Sequence, residues 1–128
     1  MTTRHPLKIG SVIKSNFPSH VPPGHEQTGS RPAIIVALPA TLDTQRFNTV
    51  IVVPTTTNDG TWSNSNKLYP TLPRGAGGLP NESVVLIDQI RALDCHRLLS
   101  PTSRYLGDLD KLQTGLILSR IKEMFRFS

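Results

Sequence analysis

Short apolar runs alternate with polar, proline- and glycine-rich segments along most of the chain. The four clearest runs span residues 7–12, 33–38, 50–53 and 84–90, each bounded by Pro, Gly, Asn or Asp. Runs of this length with such borders are typical of β-strands. The runs AIIVAL and TVIVV are nearly continuous rather than alternating. They therefore predict central strands that are buried on both faces or that line the inside of a small barrel.

Prolines lie beside many of the predicted strand ends. Because proline has no N–H to donate to a sheet ladder, these residues are expected to mark strand starts, edges and corners. The pattern predicts a compact, strongly bent sheet. The prolines concerned are Pro32, Pro39, Pro54, Pro70 and Pro73.

A helical periodicity occurs near the C-terminus, over residues 109–125. Apolar residues recur there at spacings of three and four, which predicts an amphipathic helix with one apolar face. Asp108 is the expected N-cap, with Asp110 in the first turn and Lys122 and Arg126 near the end, as the helix dipole favours. A shorter helix is considered at residues 94–99, and residues 58–66 and 75–78 are expected to be loops. The apolar set is Leu109, Leu112, Leu116, Ile117, Ile121, Met124 and Phe125.

Length and cysteine content bound the class of protein. A chain of 128 residues is the size of one domain, so we expect residues 1–128 to share a single core. No apolar run approaches the length of about 20 residues that a bilayer requires, so a membrane protein is not expected. The N-terminus has no apolar signal segment and the lone Cys95 cannot form an internal disulfide, which favours the cytoplasm.

The net charge of +5 and the isoelectric point near 9.9 favour a polyanionic partner. The positive charges are scattered, with a modest concentration at Arg120, Lys122 and Arg126. Charge alone therefore permits RNA, DNA or an acidic protein without choosing among them.

Metal and cofactor chemistry have no sequence signal. His5, His20, His25, Cys95 and His96 show neither the Cys spacing nor the HExxH pattern that places ligands around one zinc ion. No GxSxG, phosphate loop or dinucleotide fingerprint is present. We expect no metal site and no cofactor.

Three polar constellations remain, each with an ordinary alternative. The loop PPGHEQTGSR at residues 22–31 runs directly into the strand AIIV, and Pro32 holds Arg31 extended at its mouth. Thr55, Thr56 and Thr57 form a cluster that is also common in turns at strand ends. Asp88 and Gln89 end an apolar run, where Asp88 could equally cap a turn.

These constellations fall into three motifs, GHEQTGSRPAIIV at 24–36, VVPTTT at 52–57 and GLPNESVVLIDQIRALDCHRL at 78–98. In this order and spacing the sequence resembles the MazF/PemK/Kid toxins of bacterial toxin–antitoxin systems, over nearly all of residues 7–125. The resemblance implies a mainly β fold, a small SH3-like β-barrel with a C-terminal helix, which is usually a homodimer. It also implies a metal-independent endoribonuclease that cleaves single-stranded mRNA at short sequences and so inhibits translation and growth. The expected second partner is a MazE-like antitoxin with an acidic, disordered tail.

The resemblance also implies roles for single residues. Arg31 would stabilise charge on the phosphate through its fixed fork of donors, and Thr56 would give a hydroxyl to a phosphate oxygen, with Thr57 as an alternative. The general base stays open among His25, Glu26 and Asp88; the ordinary pKa of an imidazole, near 6.5, suits the role. The remaining RNA-binding candidates are Gln27 and Gln89, and Trp62, which would stack on a base or plug the barrel end.

One position departs from the family. The Kid-like branch has an arginine for acid catalysis two residues before the aspartate of the DQ pair, and this chain has Leu86 there. Either Arg31 then carries the burden or activity is weak or lost, since Arg91 lies at the wrong distance to substitute. Two alternatives follow: a gyrase-directed toxin of the CcdB type, which shares the barrel, and a non-catalytic barrel that retains RNA or antitoxin binding.

Overall fold

The computed structural model describes residues 7–17, 29–62, 66–94 and 104–126. These residues form seven strands, three short 3₁₀ turns and one α-helix, so the protein is mainly β with a C-terminal helix, as predicted. The strands are β1 (Ser11–Phe17), β2 (Gly29–Ala37), β3 (Thr49–Thr57), β4 (Thr71–Leu72), β5 (Ser83–Val85), β6 (Arg91–Asp94) and β7 (Arg104–Asp108). The 3₁₀ turns are Pro39–Thr41, Ala76–Gly78 and Ile87–Gln89, and helix α1 is Lys111–Met124.

The strands pair antiparallel in the order β4-β5-β3-β2-β1-β7, and β6 pairs with β3. The two continuous apolar runs thus lie in β2 and β3, at the centre of the sheet, which confirms the prediction. Alternate residues of these strands feed two separate hydrophobic clusters. Ile34 and Val53 pack in one cluster and Ala33 and Val52 in the other, so both faces are buried as expected.

The apolar run at residues 84–90 is divided into two strands, and Pro54 of the facing strand β3 explains the division. The run at residues 84–90 is not one strand, because β5 and β6 flank the 3₁₀ turn Ile87–Gln89. Both strands pair with β3, β6 through residues 49–52 and β5 through residues 55–57, and Pro54 lies between these ranges. Its carbonyl accepts a hydrogen bond from the Leu86 N–H at 3.0 Å, but it has no N–H to return. The facing chain therefore leaves the ladder at this point.

The expectation that prolines mark strand starts, edges and corners is wrong for Pro32 and holds for Pro54 only as a corner. Pro32 and Pro54 lie inside the central strands β2 and β3. Pro54 is tolerated because β3 exchanges β6 for β5 around it. At Pro32 the Thr55 hydroxyl donates to the proline carbonyl and so bridges β2 and β3. Pro54 does mark a corner, but within a continuous strand.

The C-terminal helix begins two residues later than its predicted cap. Asp110, not Asp108, is the N-cap: its carboxylate accepts the Gln113 N–H at 2.7 Å, and the Gln113 side chain accepts the Asp110 N–H at 3.3 Å. Asp108 instead ends β7, where it accepts a hydrogen bond from the buried Ser11 hydroxyl at 2.7 Å. The sequence analysis missed β7 and so placed the cap too early.

The predicted single apolar face of α1 is also wrong in part. The helix contacts the sheet through a strip that includes Ile117, Leu118 and Ile121. Leu112 is 86% exposed and Phe125 is 60% exposed. Leu116 and Met124 are exposed as well, so four members of the predicted face point away from the core.

Other secondary-structure boundaries differ from those predicted. The first strand runs over residues 11–17 rather than 7–12. Asp94, the first residue of the short helix considered at 94–99, ends strand β6, and residues 95–99 lie outside the described part of the chain. The loop at 75–78 contains the turn Ala76–Gly78. Within the described ranges, no helix has the length and apolar character needed to cross a membrane.

Candidate functional site

A cleft of about 400 Å³ opens at the ends of β2 and β3. One wall is formed by residues 30–32 and 55–57, and a second by the segment from Gly78 to Ser83. Lys14 of β1 and Arg104 and Leu106 of β7 complete the lining. Because consecutive residues of a strand point to opposite faces, a cleft lined by 30–32 and 55–57 takes side chains from both faces at this end of the sheet.

Arg31 and Thr56 meet in this cleft. An Nη1–H group of Arg31 donates to the Thr56 hydroxyl oxygen across 3.4 Å, which is long for a hydrogen bond. Both residues are half-buried and line the cleft. The pair presents a guanidinium fork and a hydroxyl at one point, the combination that suits phosphate oxygens.

The neighbouring threonine fixes the strand ends on which the pair lies. Thr55 is buried and its hydroxyl donates to the Pro32 carbonyl at 3.0 Å. This side-chain bond links β2 to β3 where Pro32 has no N–H of its own to contribute. The threonines therefore lie in strand β3, not in a strand-end turn. Thr55 has a structural role, and Thr56 and Thr57 line the cleft.

Sequence analysis missed two cations of the cleft, Lys14 and Arg104. Lys14 is the Cα partner of Pro32 on one side of β1 and of Arg104 on the other side. The alternating side chains of VIKSNF indicate a strand that continues to residue 17, whereas the predicted first strand stopped at residue 12. With Arg31, three positive side chains line the described part of the cleft and no carboxylate does. An anion is the ligand that this lining favours.

Asp88 and Trp62 belong to a second group, outside the cleft lining. The Tyr69 hydroxyl donates to the Asp88 carboxylate at 2.6 Å, and this bond to a carboxylate raises the pKa of Tyr69. Trp62 packs edge-to-face on Tyr69 with ring centres 5.3 Å apart and remains half-exposed. The structure thus brings Trp62 and Asp88 together through Tyr69, which the sequence analysis did not single out. It does not bring either residue to Arg31.

The remaining candidates of the DQ motif are dispersed. Leu86 is 2% exposed and belongs to the core. The backbone N–H of Gln89 donates to the Leu86 carbonyl at 3.0 Å, within the turn Ile87–Gln89. The Arg91 guanidinium lies 5.3 Å from the centre of the Phe17 ring, away from the cleft lining, so Arg91 does not replace the family arginine there.

The roles of three loop residues and the expected absence of a metal site remain predictions. His25, Glu26 and Gln27 lie outside the described residues. Among the residues that are described, no group of three His, Cys, Asp or Glu side chains is placed to hold a metal ion.

Solved structures with similar folds include several toxins. The chain is similar to MazF from Deinococcus radiodurans, with 22% identity, a TM-score of 0.69 and coverage of 94% of this chain and 97% of that chain. It is also similar to a chain of the MazE–MazF crystals of that organism, with 18% identity, a TM-score of 0.66 and coverage of 98% and 100%. A third is an endoribonuclease in complex with its cognate antitoxin from a mycobacterial species, with 18% identity, a TM-score of 0.63 and coverage of 97% and 100%.

At these identities the structural similarity establishes the fold, and it confirms the predicted MazF-type architecture. No curated protein sequence matches the chain. A family model described as the PemK-like, MazF-like toxin of type II toxin–antitoxin systems matches residues 8–125. This match spans both walls of the cleft and the helix, and the chain therefore belongs to the PemK-like, MazF-like family of type II toxins.

Proposed function

We propose that this toxin is an endoribonuclease that cleaves single-stranded RNA without a metal ion, with Arg31 and Thr56 at its catalytic centre. The observation that carries the proposal is the Arg31–Thr56 pair in a cleft whose described charged residues are all cationic. Support for the reaction class comes from family membership together with the similar mycobacterial structure that is named an endoribonuclease. Short recognition sequences in mRNA are part of the same proposal.

Cleavage in the absence of a metal uses the RNA's own 2′-hydroxyl. Its oxygen forms a bond to the adjacent phosphorus as the bond to the 5′-oxygen breaks, which leaves a 2′,3′-cyclic phosphate and a 5′-hydroxyl. A base must take the proton of the 2′-hydroxyl and an acid must protonate the departing 5′-oxygen. Arg31 would stabilise the negative charge that develops on the non-bridging oxygens, and the Thr56 hydroxyl would donate to one of them.

The general base is still open between His25 and Glu26. Asp88 fits the role least well, since its carboxylate accepts the Tyr69 hydroxyl and lies outside the cleft lining. Leu86 is buried and apolar and provides no acid. In this proposal Arg31 therefore also takes the role of the acid-catalytic arginine of the Kid-like branch: it gives a proton to the departing 5′-oxygen and regains one from solvent.

A cognate antitoxin is the proposed protein partner. Support comes from the similar structures, which include MazE–MazF crystals and an endoribonuclease with its cognate antitoxin. The cationic cleft would attract an acidic tail as well as RNA, so the antitoxin would compete directly with substrate. We further propose that the toxin is a homodimer in solution, to be tested by light scattering coupled to size-exclusion chromatography.

Incubation of purified protein with single-stranded RNA in excess EDTA tests the central proposal. We expect cleavage products with 5′-hydroxyl and cyclic phosphate ends. Arg31→Ala should lower kcat by about 10²- to 10³-fold, the usual effect of removing one oxyanion-stabilising donor. Arg74→Ala, an exposed arginine outside the cleft lining, is the matched control and should cleave normally. RNA that stays intact with and without added metal would reject the proposal, and inhibition of gyrase in a parallel supercoiling assay would favour the CcdB-type alternative.

A further inference from the structure

Lys14 and Arg104 place two positive charges next to each other on neighbouring strands, an arrangement that is unfavourable for the stability of the sheet. They are direct Cα partners on the antiparallel strands β1 and β7, and like charges opposite each other destabilise a sheet. The ion pairs Lys8–Asp108 and Arg120–Glu123 include neither of these two cations. Both cations line the cleft instead. An anion placed between them would convert a repulsive arrangement into an attractive one.

The two cations are distinct from the Arg31–Thr56 pair. In the register of β1 with β2, Lys14 is opposite Pro32, whereas Ser15 is opposite Arg31. Because successive residues point to opposite faces, Lys14 and Arg104 share one face of the sheet and Arg31 lies on the other. The cleft nevertheless includes all three residues in its lining. A ligand that extends along the cleft would contact positive charge at two separate places, at Arg31 and at the pair Lys14 and Arg104.

We propose that Lys14 and Arg104 form a second phosphate subsite, which binds a backbone phosphate of the RNA next to the scissile one. This inference rests on the proposed function and specifies how the substrate is held. An arginine fork and a lysine ammonium are donors without acceptors, so they suit phosphate oxygens and cannot distinguish one base from another. The subsite should therefore increase the affinity for RNA and favour longer RNA chains. The value of kcat and the recognition sequence should be determined by other residues.

The double variant Lys14→Ala/Arg104→Ala tests the subsite, with Lys111→Ala/Lys122→Ala as a control of equal charge loss on exposed helix positions outside the cleft lining. Binding is measured by fluorescence anisotropy to an RNA with a 2′-deoxy residue at the cleavage site, so that no cleavage occurs. We expect the Kd of the cleft variant to rise at least tenfold. The slope of log K against log salt should fall by about 0.7, the value for one phosphate contact of a single strand.

A scan of neutral methylphosphonates along the same oligonucleotide locates the contact. We expect one substitution beside the scissile phosphate to weaken binding by the wild-type protein and to have no effect on the cleft variant. Removal of two repelling charges should leave the melting temperature equal or higher, which separates lost binding from lost folding. With cleavable RNA, KM should rise while kcat stays near the wild-type value.

The outcomes separate this inference from the proposed function. Wild-type-like Kd and salt slope in the cleft variant, or an equal loss in the control variant, would overturn the subsite even if RNA is cleaved. Binding that depends on Lys14 and Arg104 without any cleavage would keep the subsite and reject the nuclease. Absence of oligonucleotide binding by the wild-type protein would overturn both.

Discussion

Replacement of Gly78 by alanine is expected to destabilise the fold sharply, because two backbone segments touch at this residue. Gly78 has a φ of 78°, and a Cβ placed on it would lie 2.1 Å from the Leu106 carbonyl oxygen and 2.7 Å from its carbonyl carbon. The contact is reciprocal, since a Cβ on Gly107 would lie 2.9 Å from the Gly77 carbonyl carbon. The turn Ala76–Gly78 thus packs directly on strand β7, beside the cleft.

The cost of Gly78→Ala has two parts. A left-handed conformation costs an L-residue about 1–2 kcal/mol. The clash is with main-chain atoms that cannot rotate away, so β7 or the turn must shift, and overpacking of this kind costs about 1–3 kcal/mol more. The sum is a loss of about 2–5 kcal/mol in the free energy of unfolding, before the small gain from a stiffer unfolded chain that any Gly→Ala substitution shares. Gly75→Ala is the matched control, because Gly75 has a φ of 91° and no atom within 4 Å of the added Cβ.

Urea unfolding followed by circular dichroism measures both variants. Gly75→Ala should lose about 1–2 kcal/mol from conformation alone, offset by a few tenths to 1 kcal/mol from the stiffer unfolded chain. The difference between the variants, about 1–3 kcal/mol, isolates the backbone contact. In a thermal scan it should appear as a melting temperature lower by about 4–12 °C in Gly78→Ala than in Gly75→Ala. Equal losses in the two variants would show that β7 and the turn do not touch as the structure has them.

Three further substitutions test other parts of the structure. Asp110→Ala removes the N-cap of α1 and should lower the free energy of unfolding by about 1 kcal/mol, measured in urea. Asp108 does not cap the helix, so a loss in Asp108→Ala would come from its other contacts, which include Ser11, Tyr105 and Lys8. Thr55→Val removes the hydroxyl bond to Pro32 at nearly constant volume and should cost about 0.5–1.5 kcal/mol; an unchanged unfolding midpoint would contradict the bridging role. Asp88→Asn should return the raised pKa of Tyr69 toward its ordinary value in an ultraviolet titration. Since the folded pKa is raised, the stabilisation from this bond is present at neutral pH and is lost as the pH rises through the folded pKa, and an unshifted titration in Asp88→Asn would refute the cause.

The sequence predicted those parts of the fold that local patterns encode. The central strands β2 and β3 followed from two continuous apolar runs, because burial on both faces requires apolar residues at every position. The C-terminal helix followed from its periodicity. Strand β7 was missed since RYLGD is short, contains glycine and is defined by pairing with β1, about 90 residues away. The misplaced N-cap was a consequence of that omission.

The cleft residues likewise divide into those that a local motif identifies and those that only the pairing of distant strands brings together. Arg31 and Thr56 could be identified because each lies in a motif whose order and spacing resemble a known family. Lys14 and Arg104 lie outside those motifs, and each is unremarkable alone: a half-buried lysine in one strand and an exposed arginine in another. Their significance appears only when the register places them opposite each other in a cleft whose described lining has no carboxylate. A family motif therefore locates the proposed chemistry, whereas pairing between distant strands determines which other residues of the cleft take part in the proposed RNA binding.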